Sequence, residues 1–187
     1  MTNFILQKLS LNEKETILSL LQRKEYLKGE ILIKEGAHAD KVFIIISGAC
    51  RSYFIKNGED ITDFFFLENS FATDFASFCS HIPTTLILEC IEDCVVDIIC
   101  RKDLELLYQQ SHTFSEMGRL MAEYSYLQIE ERMRLLHTES LEIKYNWMLK
   151  NFPHIFQRVP QHYIATYLGV KPQSLSRIRA KISGKTY

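Results

Sequence analysis

The order of apolar and polar positions divides the chain into a strand-rich first part and a helical second part. Between Gly29 and about Arg101, β-branched and aromatic residues form short runs: EILIKEG, KVFIIISGACRSYFI, ITDFFFL and TTLILECIEDCVVDIIC. Turn sequences such as KNGED separate them. Short strands interrupted by turns predict an antiparallel sandwich or barrel. Before them, LNEKETILSLLQRKEYL predicts a short helix capped by Asn12.

From Lys102 onward, apolar residues recur at helical spacing. DLELLYQQS predicts a short helix, and residues 113–136 predict a helix about 36 Å long. That helix has two stripes, one of Phe114, Met117, Met121, Tyr124, Gln128, Glu131 and Leu135, and one of Leu120, Leu127 and Met133. One stripe can pack on the barrel and the other on a second chain, so we expect a dimer helix, with an ordinary core helix as the alternative. SLEIKYNWMLKNFP predicts a further helix that ends at Pro153.

The segment VPQHYIATYLGVKPQSLSRIRAKI predicts a helix-turn-helix. Gly169 can end the first helix in the left-handed conformation, and Pro172 fits the first position of the second helix. Leu175 and Ile178 would anchor this second helix to the core. We therefore expect its free face to carry Gln173, Ser174, Ser176, Arg177 and Lys181.

The distribution of charge supports contact with a polyanion. The 187 residues carry a formal net charge of -1. The last acidic residue is Glu142, and the eight lysines and arginines after it give residues 143–187 a charge of +8. Such a one-signed segment is typical of nucleic-acid binding. Gln can read adenine and Arg guanine, so Gln173, Ser174, Ser176 and Arg177 are candidate base-reading residues. Lys171, Arg179, Lys181 and Lys185 are candidate phosphate contacts.

Other features of the sequence restrict the class of protein. No apolar run is long enough to span a membrane, and no secretion signal is evident at the N-terminus. The five cysteines are an odd number, which favours free thiols in a cytoplasmic protein over a disulfide framework. No P-loop, nucleophile elbow or catalytic triad spacing is present, so we do not expect an enzyme.

The segment YIATYLGVKPQSLSRIRAKI, preceded by a β-rich part with Gly29, Gly36, Gly48 and Gly58, resembles the Crp/Fnr family. The resemblance implies an α+β chain: a cyclic-nucleotide-binding-type jelly-roll barrel (1–112), a dimerisation helix (113–137) and a winged helix-turn-helix (138–187). It further implies a homodimer that regulates transcription by binding a palindromic site in double-stranded DNA and contacting RNA polymerase. Gln173 stands where an acid is usual, so we expect an altered half-site. The expected source of a wing is the segment around HIFQRVP.

The phosphate cassette that the resemblance implies is altered in this sequence. The family's Gly-Glu pair is Thr73-Asp74 here, its Arg is Thr84, and its hydroxyl residue is Thr85. Without the arginine, the negative charge of a cyclic phosphate in this partly buried pocket would be poorly compensated. We therefore expect an unknown small-molecule effector or an empty pocket rather than cyclic AMP. A regulator that binds a cyclic nucleotide through a divergent pocket remains the alternative.

Metal and cofactor sites are not expected. Cys90 and Cys94 lie four residues apart, and two thiols cannot complete a four-thiolate iron–sulfur cluster. No local pattern indicates a haem ligand. A cupin-like metalloenzyme, the rival from another functional class, needs a His-x-His pair, which the six histidines do not form.

Overall fold

The structure is a computed structural model that describes residues 8–183. Its contacts divide the chain into two compact units. The first unit is Met1–Phe54 with Phe64–Glu123, and the second is Ile55–Asp63 with Tyr124–Tyr187. The division into parts 1–112, 113–137 and 138–187 stays a prediction. Within the part of the chain that the structure describes, we find no helix with the length and hydropathy of a membrane span.

Strands dominate the first part of the chain and helices the second, as the apolar pattern predicts. The elements up to the end of α3 are α1 (Leu11–Leu20), β1 (Gln22–Tyr26), β2 (Ile31–Ile33), β3 (Lys41–Ser47), β4 (Cys50–Lys56), β5 (Glu59–Phe66), β6 (Phe71–Ala72), α2 (Phe75–Ser80), β7 (Ile87–Cys90), β8 (Cys94–Cys100) and α3 (Arg101–Gln110). The later elements are α4 (His112–Thr138), α5 (Leu141–Asn151), α6 (Ile155–Arg158), α7 (Gln161–Tyr167) and α8 (Pro172–Ser183).

The strands form two four-stranded sheets with the orders β1-β8-β3-β6 and β2-β7-β4-β5. Neighbours are antiparallel, as in the register Phe43↔Ile98 between β3 and β8. Apolar side chains from both sheets meet in one core that includes Phe43, Ile45, Leu88 and Val96. A second buried cluster in this unit includes the helix residues Ile17, Leu104, Leu107 and Phe114. The predicted antiparallel sandwich is confirmed.

The N-cap of helix α1 lies two residues before the predicted cap. Ser10, not Asn12, is the N-cap: its hydroxyl accepts from the Glu13 amide, and the Glu13 carboxylate accepts from the Ser10 amide. This reciprocal pair is a capping box, which satisfies two end amides where Asn12 would satisfy one. The predicted helix also ends early, because Gln22–Tyr26 pair with β8 as a strand.

A second bond partner holds the Glu13 carboxylate in its ionised form. Ser111, just after α3, donates its hydroxyl to Glu13 Oε1 at 2.5 Å. The bond from Ser111, followed by those from Ser10, lowers the pKa of Glu13 to about 2. Since these donated bonds favour the ionised carboxylate over the protonated acid, the link between α1 and the end of α3 weakens at low pH.

The turn between β4 and β5 is the tight hairpin that KNGED predicts. Asn57 and Gly58 have φ angles of 55° and 81°. Positive φ at both central positions is the signature of a type I′ turn, which Asn-Gly favours because its twist matches that of the strands. The tip of this hairpin belongs to the second compact unit.

The second unit is mainly helical. Ser140 caps α5, with its hydroxyl accepting from the Ile143 amide. The HIFQRVP segment, predicted to supply a wing, forms the short helix α6 instead. Buried Ile155 and Val159 hold this turn of helix against the core of the unit, so the segment does not extend into a hairpin.

Candidate functional site

The predicted effector cassette is closed by bonds among its own residues. Asp74 is the N-cap of α2, and its Oδ1 accepts from the amides of Ala76 at 3.0 Å and Ser77 at 3.3 Å. Thr84 donates its hydroxyl to the other carboxylate oxygen of Asp74. The carboxylate that would meet a ligand is therefore occupied on both of its oxygens.

The backbone around Thr84 is equally committed. Its amide donates to Ala37 O at 2.8 Å, and its carbonyl accepts from the Gly36 amide at 2.8 Å. Thr73 donates its hydroxyl to Lys41 O at 2.9 Å. Thr85, by contrast, is exposed. Three of the four predicted effector residues thus carry protein contacts, while the fourth faces solvent.

The helix-turn-helix has the geometry that its glycine and proline predict. α7 ends before Gly169, which has a φ angle of +66°, and Pro172 begins α8. Leu168 and Leu175 are fully buried, one at the end of α7 and one in the first part of α8. The second helix is therefore fixed to the first by side chains on one face only.

The opposite face of α8 is exposed at Gln173, Ser176 and Arg177. Spacings of three and four residues place these side chains on one surface of the helix. Ser176 Oγ accepts from Gln161 Nε2 at 2.8 Å, so the first residue of α7 orients it. Ser174 is only half-buried and lies toward the edge of this face.

The candidate phosphate-contacting residues differ in their surroundings. Lys171 and Arg179 are exposed. Lys181 is also exposed but forms an ion pair with Glu142 of α5 at 3.0 Å. Lys185 lies outside the described residues. The acid nearest in sequence to the basic segment is thus paired with one of its lysines.

A cluster around Arg132, which sequence reasoning missed, joins three elements of the second unit. From α4, its guanidinium donates to Thr62 O at 3.3 Å and Tyr167 O at 3.4 Å, and it pairs with Asp63 at 3.3 Å. It also lies 4.6 Å from the centre of the Tyr167 ring. Thr166 adds a bond, since its Oγ1 accepts from the Thr62 amide at 3.2 Å. The hairpin tip is thereby attached to α4 and α7.

The described geometry matches a known family of domains. Residues 23–111 match the family model of the cyclic nucleotide-binding domain. The match covers 89 of the 187 residues, which is just under half of the chain. No curated protein matches its sequence.

Solved structures extend the likeness beyond the cyclic nucleotide-binding domain. FixK2 from Bradyrhizobium japonicum is 20% identical, with a TM-score of 0.76 and coverage of 88% of this chain and 85% of that one. The c-di-GMP-responsive regulator CLP from Xanthomonas campestris is 15% identical, with a TM-score of 0.72 and coverage of 94% and 92%. A transcriptional regulator of the Crp/Fnr family from Eubacterium rectale is 15% identical, with a TM-score of 0.71 and coverage of 97% and 87%. The chain has the Crp/Fnr fold, which confirms the predicted fold class.

Within residues 23–111, three thiols lie close together, whereas the sequence analysis considered only Cys90 and Cys94. Cys50 of β4 lies opposite Cys90 of β7 in the register of one sheet. Cys94 begins β8 in the other sheet. The Sγ atom of Cys50 is 3.7 Å from that of Cys90 and 3.8 Å from that of Cys94. Cys50 was missed because only the strand register, which the sequence does not show, brings it to the other two.

After residue 111, the part of α4 that belongs to the second unit, from Tyr124 onward, exposes apolar side chains. Tyr126, Leu127, Ile129 and Met133 are exposed, at fractions between 47% and 68%. Tyr126, Ile129 and Met133 line a shallow groove with Glu130, Arg134 and His137. In the first unit, Phe114 and Met117 of the same helix are buried. The helix thus has a buried apolar part and an exposed apolar part. Leu127 and Met133 belong to the second predicted stripe, whereas Tyr126 and Ile129 belong to neither, so the dimer helix stays a prediction.

Proposed function

We propose that this protein is a sequence-specific, DNA-binding transcriptional regulator that acts as a homodimer. The observation that carries the proposal is α8, in which buried Leu175 anchors one face while Gln173 and Arg177 are exposed on the other. This helix lies in a segment of charge +8 with no acid after Glu142. The Crp/Fnr fold, shared with proteins described as regulators, supports the same reading.

The exposed face of α8 can carry both kinds of DNA contact. Arg177 has the donors to pair with guanine O6 and N7, and the amide of Gln173 can pair with adenine. Ser176, held by Gln161, and Ser174 complete the proposed base-reading set. Lys171, Arg179, Lys181 and Lys185 are proposed phosphate contacts, which set affinity more than sequence preference.

Separating specific from nonspecific binding tests this assignment. The target duplex comes from selection on random oligonucleotides and should be palindromic, with half-sites about 34 Å apart. Arg177→Ala should weaken binding to the selected duplex by about 1–3 kcal/mol per half-site and should weaken binding to random DNA less. Lys171→Ala should weaken both duplexes alike and reduce the salt slope by about one per half-site.

Arg119→Ala is the matched control, since it removes the same side chain from the first unit, where Arg119 pairs with Glu123. It should leave both affinities unchanged. Equal, uniform losses for Arg177→Ala and Lys171→Ala would contradict base readout by α8. Selection without a palindrome would contradict the two-fold assembly.

The exposed apolar face of α4 is the proposed dimer contact. Tyr126, Ile129 and Met133 are spaced three and four residues apart, the spacing of a helix–helix seam. Ile129→Lys combined with Met133→Lys would place like charges in that seam and should give monomers in sedimentation at micromolar concentration. Leu106→Lys, at an exposed position of α3 in the first unit, should leave the dimer intact. A dimeric double variant would contradict this contact.

The effector is proposed not to be cyclic AMP. Thr84 stands at the family's arginine position, and its hydroxyl is bonded to Asp74, so this position offers a cyclic phosphate no cation. A cyclic-nucleotide-responsive regulator with a divergent pocket is the alternative. We further propose a cytoplasmic location, contact with RNA polymerase, and no catalytic activity.

A further inference from the structure

We propose that Cys50, Cys90 and Cys94 form a binding site for one trivalent thiophilic ion, of the arsenite or antimonite class, held by three thiolate bonds. The three Sγ atoms all lie within 4.8 Å of one another. They come from three strands in both sheets of the cyclic nucleotide-binding domain. This site is separate from the effector cassette and from α8.

Two of the three sulfur–sulfur distances already suit an ion bound between the thiols. A centre with three bonds of about 2.3 Å, the length of a zinc–thiolate bond, separates its sulfurs by about 3.4–4.0 Å at bond angles of about 95–120°. The distances of 3.7 Å from Cys50 to Cys90 and 3.8 Å from Cys50 to Cys94 fall in this range. A disulfide, by contrast, would require one pair to approach to about 2.05 Å.

The backbone leaves room for the third sulfur. Gly48 has a φ angle of +92°, and a Cβ built on it would lie 2.7 Å from Cys94 Sγ and 2.4 Å from Asp93 O. The Cys94 thiol donates toward the carbonyl oxygens of Glu92 at 3.3 Å and Ala49 at 3.4 Å. The missing side chain of Gly48 thus allows Cys94 to point into the cluster.

Burial and charge select the class of ion. The three cysteines are at most 2% exposed. Three thiolates with a monovalent or divalent ion leave a charge of -2 or -1 in this core, which is costly to bury. Only a trivalent ion makes the product neutral.

The reaction balances without an oxidant or a base. Arsenous acid, As(OH)3, and three thiols give As(S-Cys)3 and three water molecules, so each As–O bond is replaced by an As–S bond. No electron is transferred and no proton is released. Zn²⁺ or Cu⁺, in contrast, would displace a proton from each protonated thiol.

Entry to the site requires local opening of the β1–β2 connection. Gly29 donates its amide to Cys90 O at 2.7 Å, and the Cys90 amide donates to Glu30 O at 2.9 Å. These bonds tie the connection to the backbone of Cys90, and the three cysteines are at most 2% exposed. Uptake should therefore be slow, and its rate should level off at high ion concentration when opening becomes limiting.

The test titrates the reduced full-length chain with sodium arsenite. Native mass spectrometry should show one arsenic gained and three hydrogens lost per chain, together with new near-ultraviolet absorbance and a higher melting temperature. Cys90→Ala and Cys94→Ala should abolish the adduct. Cys79→Ala and Cys100→Ala, which alter the two cysteines outside the cluster, should retain it.

The wild-type chain gives a readout that does not depend on variants that fold. With arsenite bound, a maleimide reagent in mild denaturant should label Cys79 and Cys100, while Cys50, Cys90 and Cys94 stay unlabelled. Loss of binding in the Cys79 or Cys100 variant would overturn the proposal. So would a chain that only loses two hydrogens, as in a disulfide, or one in which equimolar Zn²⁺ displaces arsenite with proton release.

Discussion

Replacing Arg132 with alanine will destabilise the second unit by about 2–4 kcal/mol. The guanidinium contacts two backbone carbonyls, Thr62 O and Tyr167 O, at 3.3 and 3.4 Å. Hydrogen bonds from a charged donor contribute about 1.5–3 kcal/mol at best geometry, and these long ones contribute about half of that each. The stacking on the Tyr167 ring adds about 0.5–1 kcal/mol.

The ion pair with Asp63 adds little to this sum. The Asp63 side chain is 37% exposed, so solvent screens the pair and its contribution stays below about 1 kcal/mol. Arg132→Lys keeps the charge but has one nitrogen in place of two, whereas in Arg132 Nη1 pairs with Asp63 and Nη2 donates to both carbonyls. It should therefore recover the ion pair and leave roughly half of the destabilisation.

Trp147 provides the assay, because it is the chain's single tryptophan and lies in the second unit. Its Nε1 donates to Glu131 of α4 at 2.8 Å, so its fluorescence reports on this packing. Urea unfolding followed at this tryptophan gives the free energy for each variant. Lys150→Ala, at an exposed lysine of α5, is the control and should change it by less than about 0.5 kcal/mol. If Arg132→Ala lowered the free energy of unfolding by no more than this control does, the argument that Arg132 attaches the hairpin tip would be refuted.

Three further predictions concern the first unit. Gly48→Ala should lower the free energy of unfolding in urea by more than about 2 kcal/mol, because the new Cβ would collide with Asp93 O and Cys94 Sγ. Gly36→Ala, at a φ angle of +79° with no atom near the new Cβ, should lower it by only about 1 kcal/mol. Equal losses would contradict the close approach of Asp93 and Cys94 to Gly48. Cyclic AMP at a concentration of about 1 mM should leave the melting temperature unchanged, whereas binding at 100 times the Kd would stabilise by about 2.7 kcal/mol and would contradict the closed cassette. Because the pKa of Glu13 is lowered from 4.5 to about 2, the stabilisation by its carboxylate is complete above about pH 4.5 and is lost as the pH falls toward 2. The difference in unfolding free energy between wild type and Glu13→Gln should therefore shrink over that interval. A constant difference would contradict the lowered pKa.

The features that the sequence predicted correctly depend on neighbours along the chain. Gly169 and Pro172 define the turn of the helix-turn-helix through their own backbone preferences, and Asn57-Gly58 does the same for the hairpin. The errors at α1 have the same local scale: Ser10 and Asn12 both qualify as caps, and only the reciprocal bond with Glu13 distinguishes them. Local chemistry thus predicts an element reliably and its end less so.

The features that were missed depend on residues far apart in the sequence. Arg132 meets Thr62 across 70 positions, and Cys50 meets Cys90 across 40. Neither pairing follows from helical or strand spacing, because each requires a strand register or a helix placement. The hydrogen bond from Thr84 to Asp74 lies between these two cases. The sequence showed that both residues differ from the family's cassette, but it did not show that they bond to one another.

The ion pair between Lys181 and Glu142 changes how one proposed phosphate contact would respond to salt. A lysine usually gains affinity for DNA because a condensed counterion leaves the phosphate it neutralises. Lys181 already has a counterion in the protein, so the phosphate must exchange places with a carboxylate that then needs a cation from solution. One ion released is offset by one ion taken up. Glu142→Gln should therefore steepen the salt dependence of DNA binding even though it adds no contact to DNA.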